Sequence, residues 1–157
     1  MNIDLLVVGK TDSAEIQSLV ATYLKRLNFY TRVTLVTLPD LKNTRNISAE
    51  SQKRQEGELL MRQFADGDYV VLLDEKGAEM RSVEFSMWLQ KRMNSGLRRL
   101  CFVIGGPYGF SPKVYERADG RLSLSAMTFS HQMVRLIFVE QLYRAMTILN
   151  GGPYHHE

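Results

Sequence analysis

Histidine, arginine and glycine carry the chemistry of this chain, and most of it lies in the last third. His131 stands just before a helical run, and His155 and His156 follow Tyr154 near the end. An imidazole titrates near neutral pH and can take a proton from an acidic N–H. A histidine at a helix start serves as readily as a cap or a packing residue. Arg135 and Arg144 lie on the same run. A guanidinium suits a phosphate or a developing negative charge. Glu140 and Arg144 also have the spacing of an ordinary helical ion pair.

Backbone chemistry is the second kind. Gly105-Gly106-Pro107-Tyr108-Gly109 follows an apolar run, and Leu122–Phe129 ends a strand in small and hydroxylic residues. Glycines after a strand let a ligand approach the main chain and reach its N–H groups. The same glycines make a tight turn, so the pattern alone leaves both readings open. The Gly105–Gly109 loop is not G-x-G-x-x-G and no Gly-Lys-Ser/Thr follows it, which disfavours those two nucleotide motifs there. The Leu122–Phe129 segment reads either as a loop capped by Ser125 or Thr128, or as a ligand loop.

The elements that must position these groups alternate. Ile3–Val8, Val33–Leu38, Tyr69–Leu73, Leu100–Ile104 and Leu122–Leu124 read as strands. Between them lie a helix capped by Asp12 or Ser13, a charged helix from Ser48 to Phe64, and a helix capped by Ser82. A short helix opens at Ser111-Pro112, and a long one runs from Met133 to Leu149. Strands without polar alternation are covered on both faces. The expected class is therefore α/β, with a mainly parallel sheet sandwiched by helices. In such sheets ligands bind beyond the carboxyl ends of strands, here after Leu73, Ile104 and Leu124.

The chain has 157 residues, 45% of them apolar and 24% charged, with a net charge of +3. That length predicts one domain over 1–157 with a core of its own. Disorder and a disulfide scaffold are excluded; the single cysteine, Cys101, sits inside an apolar run and reads as packed. No stretch approaches the roughly 20 apolar residues that cross a bilayer, and the N-terminus is not a signal peptide, so a cytoplasmic protein with no membrane partner is expected. A metal is not expected, because the paired histidines beside Glu157 have no second ligand cluster. The positive charge hints at a polyanion.

Taken together and in order, several segments carry a resemblance. They are Leu72-Leu73-Asp74, Ile104–Gly109, Leu122–Thr128, His131, Val134-Arg135, Glu140–Ala145 and Pro153-Tyr154-His155. Over the whole chain they resemble the SPOUT-class ribosomal large subunit methyltransferase H family, pseudouridine N3-methyltransferases acting on helix 69 of 23S rRNA. The resemblance implies a C-terminal trefoil knot, S-adenosylmethionine as cofactor, and a homodimer whose active site takes in the partner's C-terminal tail. Its partner is the large ribosomal subunit or assembled ribosome. It implies cofactor contacts at Leu73, Gly105, Leu124, Ser125, Ala126, Met127, Thr128 and Phe129. The catalytic candidates are His131 or His155 as base and Arg135 or Arg144 as cation. Basic residues including Lys42, Arg45, Lys53, Arg54 and Arg99 become candidate RNA contacts. The family commonly ends Tyr-His-Arg-Glu, where this chain has Tyr154-His155-His156-Glu157. A non-catalytic RNA- or ribosome-binding module and a small-molecule α/β enzyme are the rival readings.

Overall fold

The structure is a computed structural model that describes residues 1–156; Glu157, and with it the acidic end of the His155-His156-Glu157 run, lies outside the described residues. Five strands form one sheet: β1 (Asn2–Val8), β2 (Val33–Leu38), β3 (Tyr69–Glu79), β4 (Arg99–Ile104) and β5 (Gly120–Ser123). Their spatial order is β2-β1-β4-β3-β5, and every pairing is parallel. Helices α1 (Ala14–Leu27), α2 (Ala49–Met61), α3 (Ser82–Met93) and α4 (Pro112–Arg117) occupy the connections between strands, and α5 (Met133–Leu149) follows β5.

The unbroken apolar runs are explained by two cores, one on each face. Successive residues of a strand point to opposite sides. Leu5, Val7, Phe102 and Ile104 join Leu27, Phe85 and Phe138 on the side of α1, α3 and α5. Leu6, Val8, Cys101 and Val103 join Leu60, Phe110 and Val114 on the side of α2 and α4.

Local caps follow the residue types, with one exception. Ser13, Ser48 and Ser111 accept the N–H of Ile16, Ser51 and Val114 at the starts of α1, α2 and α4. Ser82, expected as a cap, is instead the first residue of α3. Its hydroxyl donates to Gln141 Oε1 on α5 at 2.9 Å, while Glu84 accepts the N–H of Arg81 at 2.7 Å.

β3 runs past its expected end at Leu73. It pairs with β4 as far as Leu73, then shifts register against β5 between Leu73 and Ala78. The bulge carries Asp74, Glu75 and Lys76 outward. Gly77 is required where the chain returns, because a Cβ there would lie 2.7 Å from the backbone of Arg121 and Leu122.

Two charged groups are structural. Arg99 donates to Asp4 at 2.6 Å and to Asp68 at 2.7 Å, across the amino ends of β4 and β1. It therefore sits inside the fold rather than among free surface cations. Arg135, in the first turn of α5, is 1% exposed. It donates to the carbonyls of Val8 (2.9 Å), Gly9 (2.8 Å) and His131 (3.2 Å), and to Thr11 Oγ1 (3.1 Å). Burial lowers its pKa, and the carboxylates of Asp12 and Asp40 oppose that shift.

Replacing Arg135 with methionine leaves those carbonyls buried without a donor. The expected loss is about 3 kcal/mol of unfolding free energy, read from urea denaturation. A change under about 1 kcal/mol would contradict the assignment. Burial also pushes the Cys101 thiol up to about 12. The native chain at pH 8 should resist iodoacetamide and take up one equivalent only after unfolding.

Candidate active site

The carboxyl ends of β3, β4 and β5 open into one cleft of about 210 Å³. Leu73, Ile104, Leu122, Leu124, Phe110 and Val134 make its walls apolar. Gly105, Gly106 and Gly109 bring bare backbone to its edge. Gly105 has no room for more: a Cβ would meet the Phe110 ring at 3.1 Å. The turn is closed by the Gly109 N–H donating to the Gly106 carbonyl at 3.1 Å.

The opposite rim is Leu124–Phe129, which enters none of the backbone–backbone hydrogen bonds of the sheet or turns. Its shape comes from side chains. Ser123 Oγ donates to the Ser125 carbonyl (3.0 Å), and Ser125 Oγ accepts the Met127 N–H (2.9 Å). Thr128 Oγ1 donates to Glu75 Oε2 at 2.8 Å, tying the rim to the β3 bulge. Asp74 accepts the Tyr115 hydroxyl at 2.6 Å. Burial first, and that bond second, push the tyrosine up to about 12, so Tyr115 stays a neutral donor.

Of the residues singled out by sequence, Leu73, Gly105, Leu124, Ser125, Met127, Thr128, Phe129 and His131 line the cleft. Ala126 lies on the same exposed loop without lining it. Arg135 lies beneath, with its donors turned to main-chain carbonyls, and holds His131 through the carbonyl of that residue. Its geometry is that of a positioning residue, not a cation offered to a ligand.

Arg144 and His155 are elsewhere. They form a cluster with Glu140, Tyr154 and Tyr23 toward the far end of α5, about 14 Å of helix rise beyond Arg135. The bond directions there follow from chemistry. Glu140 Oε1 accepts from Arg144 (2.7 Å) and from the Tyr154 hydroxyl (3.0 Å). Tyr23, 3.3 Å from the Tyr154 hydroxyl, therefore donates to it. Arg144 has only donors, so His155 Nδ1, at 3.1 Å, accepts and the ring hydrogen sits on Nε2. Nε2 is buried with no partner among the described residues.

Sequence reasoning missed the support residues Phe110, Tyr115 and Glu75, and it quoted Val134 without giving it a place in the cleft. Glu75 had a signal, since a carboxylate just past a strand end stands where ligands bind. Tyr115 had none, because α4 reaches Asp74 only through the fold.

A purine nucleoside carrying a sulfonium and an amino acid fits this donor set. Apolar walls suit the ring, backbone polar groups suit its edge, and the carboxylates of Asp74 and Glu75 suit positive charge. Among the described residues no cluster of ligands could hold a metal, and no helix is long and apolar enough to cross a membrane.

Comparison with known proteins agrees with the cleft. Residues 1–155 match the family model described as "Predicted SPOUT methyltransferase". The chain is 55% identical over 157 residues to the ribosomal RNA large subunit methyltransferase H of Phocaeicola vulgatus, covering 100% of both chains. It is 56% identical over 156 residues to the protein of that name from Christiangramia forsetii, covering 99% of each. A probable methylase family protein from Haemophilus influenzae shares the fold, with a TM-score of 0.54 at 12% identity, over 99% of this chain and 71% of that one. A probable methyltransferase from Bordetella pertussis does likewise, with a TM-score of 0.54 at 11% identity over 92% and 96%. By its family match and its full-length relatives, this chain belongs to the SPOUT methyltransferase family.

Proposed function

We propose that this enzyme transfers a methyl group from S-adenosylmethionine to N3 of a pseudouridine in helix 69 of 23S rRNA, in the large subunit or assembled ribosome. The observation that carries the reading is the cleft: three strand ends, apolar walls and an acidic rim, in a chain 55% identical over its full length to a named rRNA large subunit methyltransferase. Residues 1–157 act as one domain, cytoplasmic and metal-free, with the C-terminal trefoil knot that the family resemblance implies. The rival readings, a non-catalytic RNA- or ribosome-binding module and a small-molecule α/β enzyme, have no comparable support.

When bound, the donor supplies an electrophilic methyl carbon on sulfur. Leu73, Leu124 and the Leu124–Phe129 loop hold the nucleoside, and Asp74 and Glu75 face its positive charge. The target nitrogen is an imide and carries a proton, so it must be deprotonated as the N–C bond forms. His131 is the chain's own imidazole at the cleft and takes that proton. His155 is arranged otherwise, since its Nδ1 lone pair is occupied by Arg144 and its Nε2 is a donor. Arg144 and His155 stabilise negative charge on the substrate.

A second copy of the chain brings that cluster to the cleft, which explains why it lies so far away on one chain. Met127 (76% exposed), Phe129 and Met133 remain at the surface beside the cleft and suit an interface. The exposed basic residues Lys42, Arg45 and Arg54 suit the rRNA backbone.

Ribosomes lacking the modification, incubated with the protein and labelled S-adenosylmethionine, should carry label in helix 69 alone. Label elsewhere, or none, rejects the assignment. The shared site predicts complementation. His131→Ala and Arg144→Ala should each be nearly inactive. Co-expressed, the two should recover about a quarter of wild-type turnover, because half the dimers are mixed and each mixed dimer keeps one intact site. No recovery, with mixed dimers confirmed by mass spectrometry, would refute a site built from two chains.

A further inference from the structure

Behind the glycine turn, on the side away from the cleft, lies an acidic residue that the reaction does not use. Glu56, on α2, is 4% exposed, and its Oε1 has no hydrogen-bond partner among the described residues. Its carboxyl group is seated directly on Gly106. A Cβ at Gly106 would fall 2.5 and 2.6 Å from the two carboxyl oxygens. The next residue, Gly57, is seated the same way on Ser111, the cap of α4. One turn of α2 thus backs both ends of the Gly106–Ser111 segment, whose front lines the cleft.

The neighbouring strand repeats the arrangement. Val7 pairs with Ile104, which places Gly9 level with Gly106. The Asp40 carboxylate is seated on Gly9 as Glu56 is on Gly106. Two carboxyl groups therefore lie over two adjacent glycines at the edge of the sheet.

We propose that Glu56 is a positioning residue for the methyl donor. Its carboxyl group, wedged against Gly106, fixes the turn in the shape that binds. The proposal rests on reading the cleft as the donor site.

The electrostatics agree with the geometry. Burial raises the pKa of Glu56; a bond from Gln52 opposes this, and the charge of Asp40 adds to the rise. Asp40 is the charge that bears on Glu56, and Asp40 in turn faces the buried Arg135. An ionised Glu56 would hold an unpaired oxygen away from water beside a second carboxylate. It regains solvent only by leaving Gly106, and the turn loses its backing. The sign follows from a folded-state pKa above the ordinary glutamate value. The penalty is absent below that ordinary value and complete above the raised one. Donor affinity should therefore fall as pH rises through the raised value.

The test is calorimetric binding of S-adenosylhomocysteine to the full chain between pH 5 and pH 9, with thermal melts to check folding. Wild type should weaken by up to about tenfold per pH unit above the Glu56 titration. Glu56→Gln, neutral and of the same shape, should hold the wild-type low-pH affinity across the range. Glu56→Ala should bind about tenfold more weakly at every pH. A purely structural role would lower melting temperatures without separating the pH profiles of wild type and Glu56→Gln. Identical profiles for those two proteins overturn the inference. So does a folded Glu56→Ala that binds like wild type. If wild type binds no S-adenosylhomocysteine at any pH, the donor-site reading itself fails and takes this proposal with it.

Discussion

A single buried cation decides where the last helix can sit. Arg135 enters the fold with no hydrogen-bonded carboxylate; its guanidinium is satisfied by carbonyl dipoles at the end of β1 and by Thr11. Such a group is costly to bury and is tolerated only where every donor has a partner. The carbonyls of Val8 and Gly9 are likewise costly to leave bare where β1 ends and no strand continues. Each need answers the other, and the answer is specific to one placement of α5. The segment from Ser123 to His131 is then held at both ends, by β5 on one side and by Arg135 on the other. Its freedom to shape the cleft rim is set by that distance.

Around this anchor the sheet edge is built by omission of side chains. Gly77 lets the β3 bulge return against β5, Gly105 leaves space for Phe110, and Gly106 leaves space for a carboxyl group. The three serve different neighbours, yet each lets another part of the chain close in where a side chain would stand. Side-chain hydroxyls then take over the work that backbone ladders do elsewhere. Ser123, Ser125 and Thr128 shape the rim without consuming its peptide groups in a sheet, which leaves polar backbone facing the cleft.

Much of this was legible in the residues, and the misses have physical causes. Apolar runs such as Leu100–Ile104 named buried strands because both sheet faces are covered. The glycine turn and the Leu122–Phe129 segment stood out because ligands gather past strand ends. β3 was read short because Asp74–Gly77 has the composition of a turn, and only pairing with β5 restores it to the strand. Arg99 looked like a surface cation, but its partners Asp4 and Asp68 lie far away in sequence. Arg135 was equally opaque. One arginine amid Val134, Leu136, Ile137 and Phe138 is compatible with a helix edge or a buried post, and only the carbonyls of Val8 and Gly9 decide between them.

Among the described residues, the carboxylates of Asp74 and Glu75 line the cleft without a lysine or arginine beside them in its lining, so its rim is acidic. Exposed cationic groups lie on several elements, among them Lys25 and Arg26 on α1, Lys42 and Arg45 before α2, Arg54 on α2 and Lys76 on the β3 bulge. Under the proposed function, an enzyme that holds a cationic methyl donor and a polyanionic acceptor gains from an acidic donor cleft. A phosphate drawn into the cleft would meet two carboxylates, whereas a sulfonium on the basic surface would meet like charge. A nucleobase, being neutral, is the one part of the acceptor that can cross from the basic surface to the acidic cleft without a charge penalty. Under the proposed function, that constraint accords with methylation of a base rather than a backbone oxygen.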